Sequence, residues 1–211
     1  MKTSRSSDIV IRYLLDLIVK GDISPGGKLP STENLARLAG TSIISAREAV
    51  QNLACIGLVE ISHGRGMFLT EGMPVFEDLL TARKVIESHA VMMATGKLDS
   101  ANLERLENLL SRMGKNATDG DNEAFSDADY EFHICISKLA GNRILSKTLE
   151  NIKELLYYQQ SIINRLRPEI IKQSLIRHRE VFEAMKKGDP DSAGAIMTRH
   201  IAEVIESWRR M

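Results

Sequence analysis

The chain has 211 residues, 43% of them hydrophobic and 27% charged, with 28 basic and 28 acidic side chains that leave no formal net charge. This is globular composition, which excludes disorder and collagen-like repeats, and the length suits one large or two small domains. No apolar run approaches the ~20 residues of a membrane span and the start, MKTSRSSD, lacks the apolar stretch of a signal peptide, so a soluble, cytoplasmic protein with no membrane partner is expected.

In chain order, Ile9, Tyr13, Leu14, Leu17 and Ile18 recur at helical spacing and Gly21 ends that helix. The stretch Ile23-Ser24-Pro25-Gly26-Gly27 is turn chemistry. Ser31 then caps a short helix bearing Leu35, Leu38 and Ala39, Gly40 breaks it, and Ser42 caps another that runs through Ala46, Val50 and Leu53 to Gly57. Leu58–Ser62 and Met67–Thr70 read as strands joined by His63-Gly64-Arg65-Gly66. Two helices across a glycine turn followed by a hairpin predict a winged helix-turn-helix over residues 1–70. Cys55 and the later Cys135 suit a reducing compartment and receive no redox role.

Residues 71–76 read as a linker, and residues 77–211 as an all-helical bundle. The punctuation of Asp99, Asp121, Gly141-Asn142, Pro168 and Asp189-Pro190 places helices at roughly 75–96, 99–117, 122–140, 143–166, 168–187 and 190–209. The predicted class is therefore mainly α, a winged helix-turn-helix with a small β hairpin followed by an all-α bundle.

A helix-turn-helix offers the amino end of its second helix to the major groove, where short polar and basic side chains meet bases and phosphates. Here those residues are Thr41, Ser42, Ser45 and Arg47, with Ser31 at the start of the preceding helix. His63, Gly64 and Arg65 form a wing tip suited to a minor groove. Charge permits this without demanding it, since residues 1–70 carry 8 basic and 6 acidic side chains and the rest 20 and 22. In the second segment Asp129 and His133 stand at i and i+4 on one helical face, with His178 and His200 in later helices. The residues alone leave open a solvated surface pair and a metal site of three imidazoles and one carboxylate. Such a site would leave a divalent ion positive and coordinatively open, inviting a carboxylate or hydroxy-acid oxygen. Zinc, nickel and manganese all suit the donor set. No Walker motif, dinucleotide loop or catalytic triad appears.

Leu29-Pro30-Ser31, Leu35-Ala36, Arg47-Glu48-Ala49, Gly57-Leu58-Val59 and His63-Gly64-Arg65-Gly66 resemble the winged-helix signature of GntR-type bacterial transcription regulators. The family commonly has arginine where this chain has Glu33 and Ile43, while Arg47 keeps the usual basic residue, so the resemblance implies an altered or weaker operator contact. Leu80–Glu87, Asp129–His133, Gly141-Asn142, His178-Arg179 and Arg199-His200-Ile201 are similar to the FCD ligand-sensing domain of the FadR subfamily. That similarity implies one divalent metal per chain on Asp129, His133, His178 and His200, small organic or sugar acids as effectors, and Arg83 facing the effector. Without the family, Arg83 is equally read as an ion pair with Glu87. His63 and His89 are not ligands in this scheme. The expected protein is a homodimeric regulator on a palindromic double-stranded operator, controlled by a small carboxylate. The rivals are a metal-dependent hydrolase and a regulator whose metal is purely structural.

Overall fold

The computed structural model describes residues 6–71 and 74–210, so Gly72 and Met73 of the expected linker lie outside the described residues. The elements are α1 (Ser6–Lys20), α2 (Thr32–Leu38), α3 (Ile43–Cys55), β1 (Val59–Ser62), β2 (Gly66–Leu69), α4 (Pro74–Thr95), α5 (Ser100–Asp119), α6 (Asn122–Leu139), α7 (Arg143–Asn151), α8 (Lys153–Leu166), α9 (Glu169–Lys186) and α10 (Pro190–Arg209). The chain divides after Glu77, inside the first turn of α4, into two compact units. No helix among the described residues is long and apolar enough to cross a membrane.

The first unit is a winged helix-turn-helix. Val10, Leu14, Leu15, Leu35, Ala46, Val50, Leu53, Leu58 and Leu69 are buried together at its centre. Ser31 and Ser42 cap α2 and α3, their hydroxyls accepting from the backbone N–H of Asn34 (3.3 Å) and Ser45 (3.1 Å). Gly40 turns the chain between the two helices at φ +64°. β1 and β2 pair antiparallel from Val59↔Leu69 to Ser62↔Gly66.

One part of this unit departs from the sequence reading. Residues 26–29, expected as turn and entry to α2, run alongside β2: the N–H of Gly26 donates to Leu69 O and that of Leu29 to Met67 O, both at 2.8 Å. The hairpin thereby gains a third, short partner whose Lys28 pairs with Phe68. Glycine suits position 66 because the backbone there sits at φ +118°, which L side chains rarely adopt.

The second unit is all-helical and is organised around α6, which buries Phe125, Ala128, Phe132, Cys135 and Ile136 but also Ser126, Asp129 and His133. α5, α7 and α8 pack on it, and α9 packs on α5, α8 and α10. Asp99, Asp121, Asn142 and Asp189 cap α5, α6, α7 and α10 by accepting backbone N–H bonds. The single helix expected over 143–166 is instead two, broken at Ile152, whose N–H bonds back to Thr148 O. Packing explains the break. A straight helix of that length would extend about 36 Å, against about 27 Å for α6, whereas two shorter pieces both stay on α6.

Candidate DNA-binding surface and buried histidine site

On the winged unit the predicted contact residues lie at the surface except for the Thr41 hydroxyl, which is buried. Ser31, Ser42, Arg47, His63, Gly64 and Arg65 are exposed, and Thr41 and Ser45 are half-buried. The hydroxyls of Ser31 and Ser42 also serve as helix caps, and Ser42 Oγ stands 3.0 Å from Ser45 Oγ, so the start of α3 is held as a compact polar end. Ile43 and Ile44 project beside it at 44% and 79% exposure. Side chains that apolar, left in water at a recognition-helix start, suit thymine methyl groups. Glu33 stands in the field of Arg47: its carboxyl is held below the usual range by its own backbone N–H first, by the Ser31 hydroxyl next, and by Arg47 least. At the wing, the Arg65 guanidinium lies 5.7 Å from the centroid of Phe68. Lys28, which the sequence reading passed over, is exposed beside the hairpin. Only pairing across 40 residues brings it there, and no local signal marks it.

In the second unit the chain brings Asp129, His133, His178 and His200 together, all less than 5% exposed. α6 supplies the first pair, α9 supplies His178 and α10 supplies His200. One ring nitrogen from each histidine lies within 4.8 Å of the others. His133 Nε2 and His178 Nε2 are 2.9 Å apart. The Asp129 carboxylate stands 3.3 Å from His178 Nε2 and 3.7 Å from His133 Nε2. The rings of His133 and His200 stack at 5.6 Å, and Phe132 walls the cluster by an edge contact to His178.

Arg83 and Glu87, one turn apart on α4, complete the site. Both are buried, and Arg83 Nε donates to Glu87 Oε1 at 2.5 Å. The i+4 ion pair that the sequence left as an alternative is therefore formed. The other oxygen of Glu87 pairs with His133 Nδ1. A carboxylate there holds a proton on Nδ1, so that the neutral imidazole presents its Nε2 lone pair toward His178 and Asp129. Glu87 is thus a positioning residue that the spacing of Arg83 and Glu87 hinted at but did not reveal.

Electrostatics follow the burial. Burial raises the Glu87 carboxyl, yet Arg83 and then His133 outweigh it and leave it at about 2. Burial weakens the Arg83 guanidinium's hold on its proton, but Glu87 and Asp129 more than restore it. Burial pushes His178 down to about 3 despite Asp129, and pushes His200 well below the ordinary histidine value, helped by its two histidine neighbours. His178 and His200 are therefore neutral at physiological pH, the form in which imidazole binds metal.

The donor chemistry fits a metal. His133 Nε2, His178 Nε2 and the Asp129 carboxylate converge in the interior, a donor set that a shared proton or a cation satisfies. Ligands about 2.0–2.1 Å from one ion lie at most about 4.2 Å apart, a bound that the 2.9, 3.3 and 3.7 Å separations among His133, His178 and Asp129 meet. Two cavities of about 10 Å³ each flank the cluster, and Arg83 and Gln160 line both. One also touches Glu87, Tyr130 and His133; the other touches Asp129, Gln159, Asn164, Ser174 and His200. His89, by contrast, is exposed on α4.

Comparison with known proteins gives the following matches. Residues 7–69 match the bacterial regulatory proteins of the gntR family, and residues 78–203 match the FCD domain. The chain is 28% identical to the HTH-type transcriptional regulator LutR of Bacillus subtilis, over 89% of this chain and 94% of that protein. It is 29% identical to the putative L-lactate dehydrogenase operon regulatory protein of Escherichia coli, over 98% of this chain and 87% of that protein. Among solved structures, E. coli McbR/YncC has the same fold, with a TM-score of 0.75 at 20% identity over 99% of each chain.

Proposed function

This chain belongs to the bacterial regulatory proteins of the gntR family and carries an FCD domain, and from that premise we propose that a small carboxylate acid, bound beside a divalent metal in the second unit, sets its affinity for operator DNA. That it is a transcription regulator of this type rather than a hydrolase follows from the family and from relatives that are regulators. The observation that carries the rest is the buried convergence of three histidines and Asp129 next to the Arg83–Glu87 pair.

Asp129, His133, His178 and His200 would hold the metal, with zinc, nickel and manganese compatible with nitrogen and carboxylate donors. When bound, such an ion supplies an electropositive centre with open positions for a carboxylate or hydroxyl oxygen. Glu87 keeps the His133 lone pair aimed at the site, and Arg83 offers the effector its guanidinium fork. The E. coli relative is named for a lactate dehydrogenase operon, lactate being a small hydroxy acid. Cavities of about 10 Å³ hold about one water, not an organic acid. Effector entry must therefore displace side chains or helices, and that displacement is what couples binding to DNA affinity. α4 begins at Pro74 and carries Arg83, which makes it the covalent route from effector to the winged unit. We assign a homodimer on a palindromic operator, read by Ser31, Thr41, Ser42, Ser45, Arg47, His63, Gly64 and Arg65.

The small cavities also favour a second reading, in which the metal only ties α6, α9 and α10 together. Elemental analysis of protein purified without chelator, followed by operator-binding titrations with a panel of small acids, separates the two. About one metal per chain, lost in His133→Ala and His178→Ala, and an acid that shifts operator affinity support the proposal. Metal without any acid response leaves the structural reading. Absence of metal, with none taken up on addition, overturns both.

A further inference from the structure

The amide of Gln159 presents an imbalance that the metal does not resolve. Gln159 is fully buried on α8, and among the described residues neither its Oε1 nor its Nε2 has a hydrogen-bond partner. It lines the cavity that also touches Arg83, Asp129 and His200. Its neighbour in that cavity, Asn164, is instead satisfied, its Nδ2 donating to Ser126 Oγ at 3.0 Å. Leaving both ends of a buried amide unpaired costs more than an apolar side chain of the same shape would. Such an exception at a site wall points to a ligand.

Resting on the carboxylate reading above, we infer that Gln159 is the specificity-determining residue of the effector site, and that it selects acids bearing a hydroxyl beside the carboxylate. A carboxylate alone only accepts, so it could satisfy Nε2 but would leave Oε1 bare. A hydroxyl accepts from Nε2 or donates to Oε1, and two neighbouring hydroxyls satisfy both. Arg83, a pure donor, reads the carboxylate; Gln159, donor and acceptor, reads what accompanies it.

The test uses the full chain loaded with zinc and three pairs of acids that share a carbon skeleton: propionate and lactate, succinate and malate, hexanoate and gluconate. Calorimetry gives the affinity ratio within each pair. In the wild type, at least one hydroxy acid should bind about tenfold or more tightly than its partner, as expected where a site's polar group is left unpaired by the analogue. In Gln159→Met, which keeps the volume, that ratio should fall below about twofold while the unliganded melting temperature stays equal or rises. Gln159→Leu provides the same comparison should the Met variant fold poorly. A variant that keeps the wild-type ratio overturns the assignment, and so does a wild type that binds both members of every pair equally; in both cases the carboxylate reading stands. If no acid binds the wild type, the carboxylate reading falls and this inference with it.

Discussion

Glu87→Gln tests whether α4 tunes the histidine cluster. Gln preserves the shape of Glu87 but has only one acceptor, and two donors now compete for it: Arg83 Nε, 2.5 Å from Oε1 in the parent, and His133 Nδ1. If the amide oxygen stays with the guanidinium, its NH₂ faces Nδ1. The imidazole must then carry its proton on Nε2, which removes the lone pair that faces His178. Loss of such an orienting partner typically lowers metal affinity about 10–100-fold, or roughly 1.4–2.7 kcal/mol. Zinc at about 100 times its parental dissociation constant stabilises the loaded parent by about 2.7 kcal/mol, a melting gain on the order of 10 °C for a unit of this size. At the same zinc concentration the variant should gain only about 0.4–1.4 kcal/mol, a few degrees. The metal-free variant should itself melt lower, because Arg83 loses its charged partner in a buried setting. Chelator-competition titration and paired melts with and without zinc measure both quantities. A parental zinc affinity in Glu87→Gln would refute the argument that Glu87 fixes the His133 tautomer.

The winged unit supports further predictions. Arg47→Ala and His63→Ala should each weaken operator binding about tenfold without lowering the melting temperature, since both side chains are exposed; gel shifts showing parental affinity in both would displace the interface. Glu33→Arg should strengthen binding to non-operator DNA, because it replaces an acid beside Arg47 with a phosphate partner; unchanged non-specific binding would mean that position 33 faces away from the backbone. Lys28→Ala should flatten the salt dependence of binding by about one counterion while leaving sequence preference intact, and an unaltered slope would remove Lys28 from the contact surface. Arg83→Lys should keep metal and operator binding while blunting the response to acid, because Lys retains the charge beside Glu87 but loses the planar fork; a parental response would clear Arg83 of effector contact.

How far these features can be read from the sequence depends on the range of the forces that set them. Asp99, Asp121, Asn142 and Asp189 announce their helices because a cap is a bond to an N–H two or three residues away. Asp129 and His133 share a face for the equally local reason of helical period. The break at Ile152 has no glycine, proline or capping side chain to announce it; the length of α6 imposes it from outside. Lys28 reaches the wing through strand pairing across 40 residues, and Pro25-Gly26-Gly27 resembles an ordinary turn until that pairing is seen. Gln159 opens the polar run Gln159-Gln160-Ser161 between Leu156 and Ile163, and a polar run of that kind ordinarily marks a helix surface.

The buried site was the least legible part because its logic is a charge balance among distant residues. Arg83, Glu87 and Asp129 lie within one buried neighbourhood around three histidines, of which burial keeps His178 and His200 neutral. Arg83 is matched by Glu87, and Asp129 faces the nitrogens of His133 and His178 in a poorly solvated interior, where an unmatched charge is costly. On the proposed reading, a divalent cation held by the histidines would add positive charge to this neighbourhood. An anionic effector would offset that charge in the poorly solvated interior. A neutral ligand of the same shape would leave the interior charged. Under the proposed function, a chelator that strips the metal should abolish acid binding in calorimetry although Arg83 remains in place, and a parental acid affinity in metal-free protein would show that Arg83 recognises the acid without the metal.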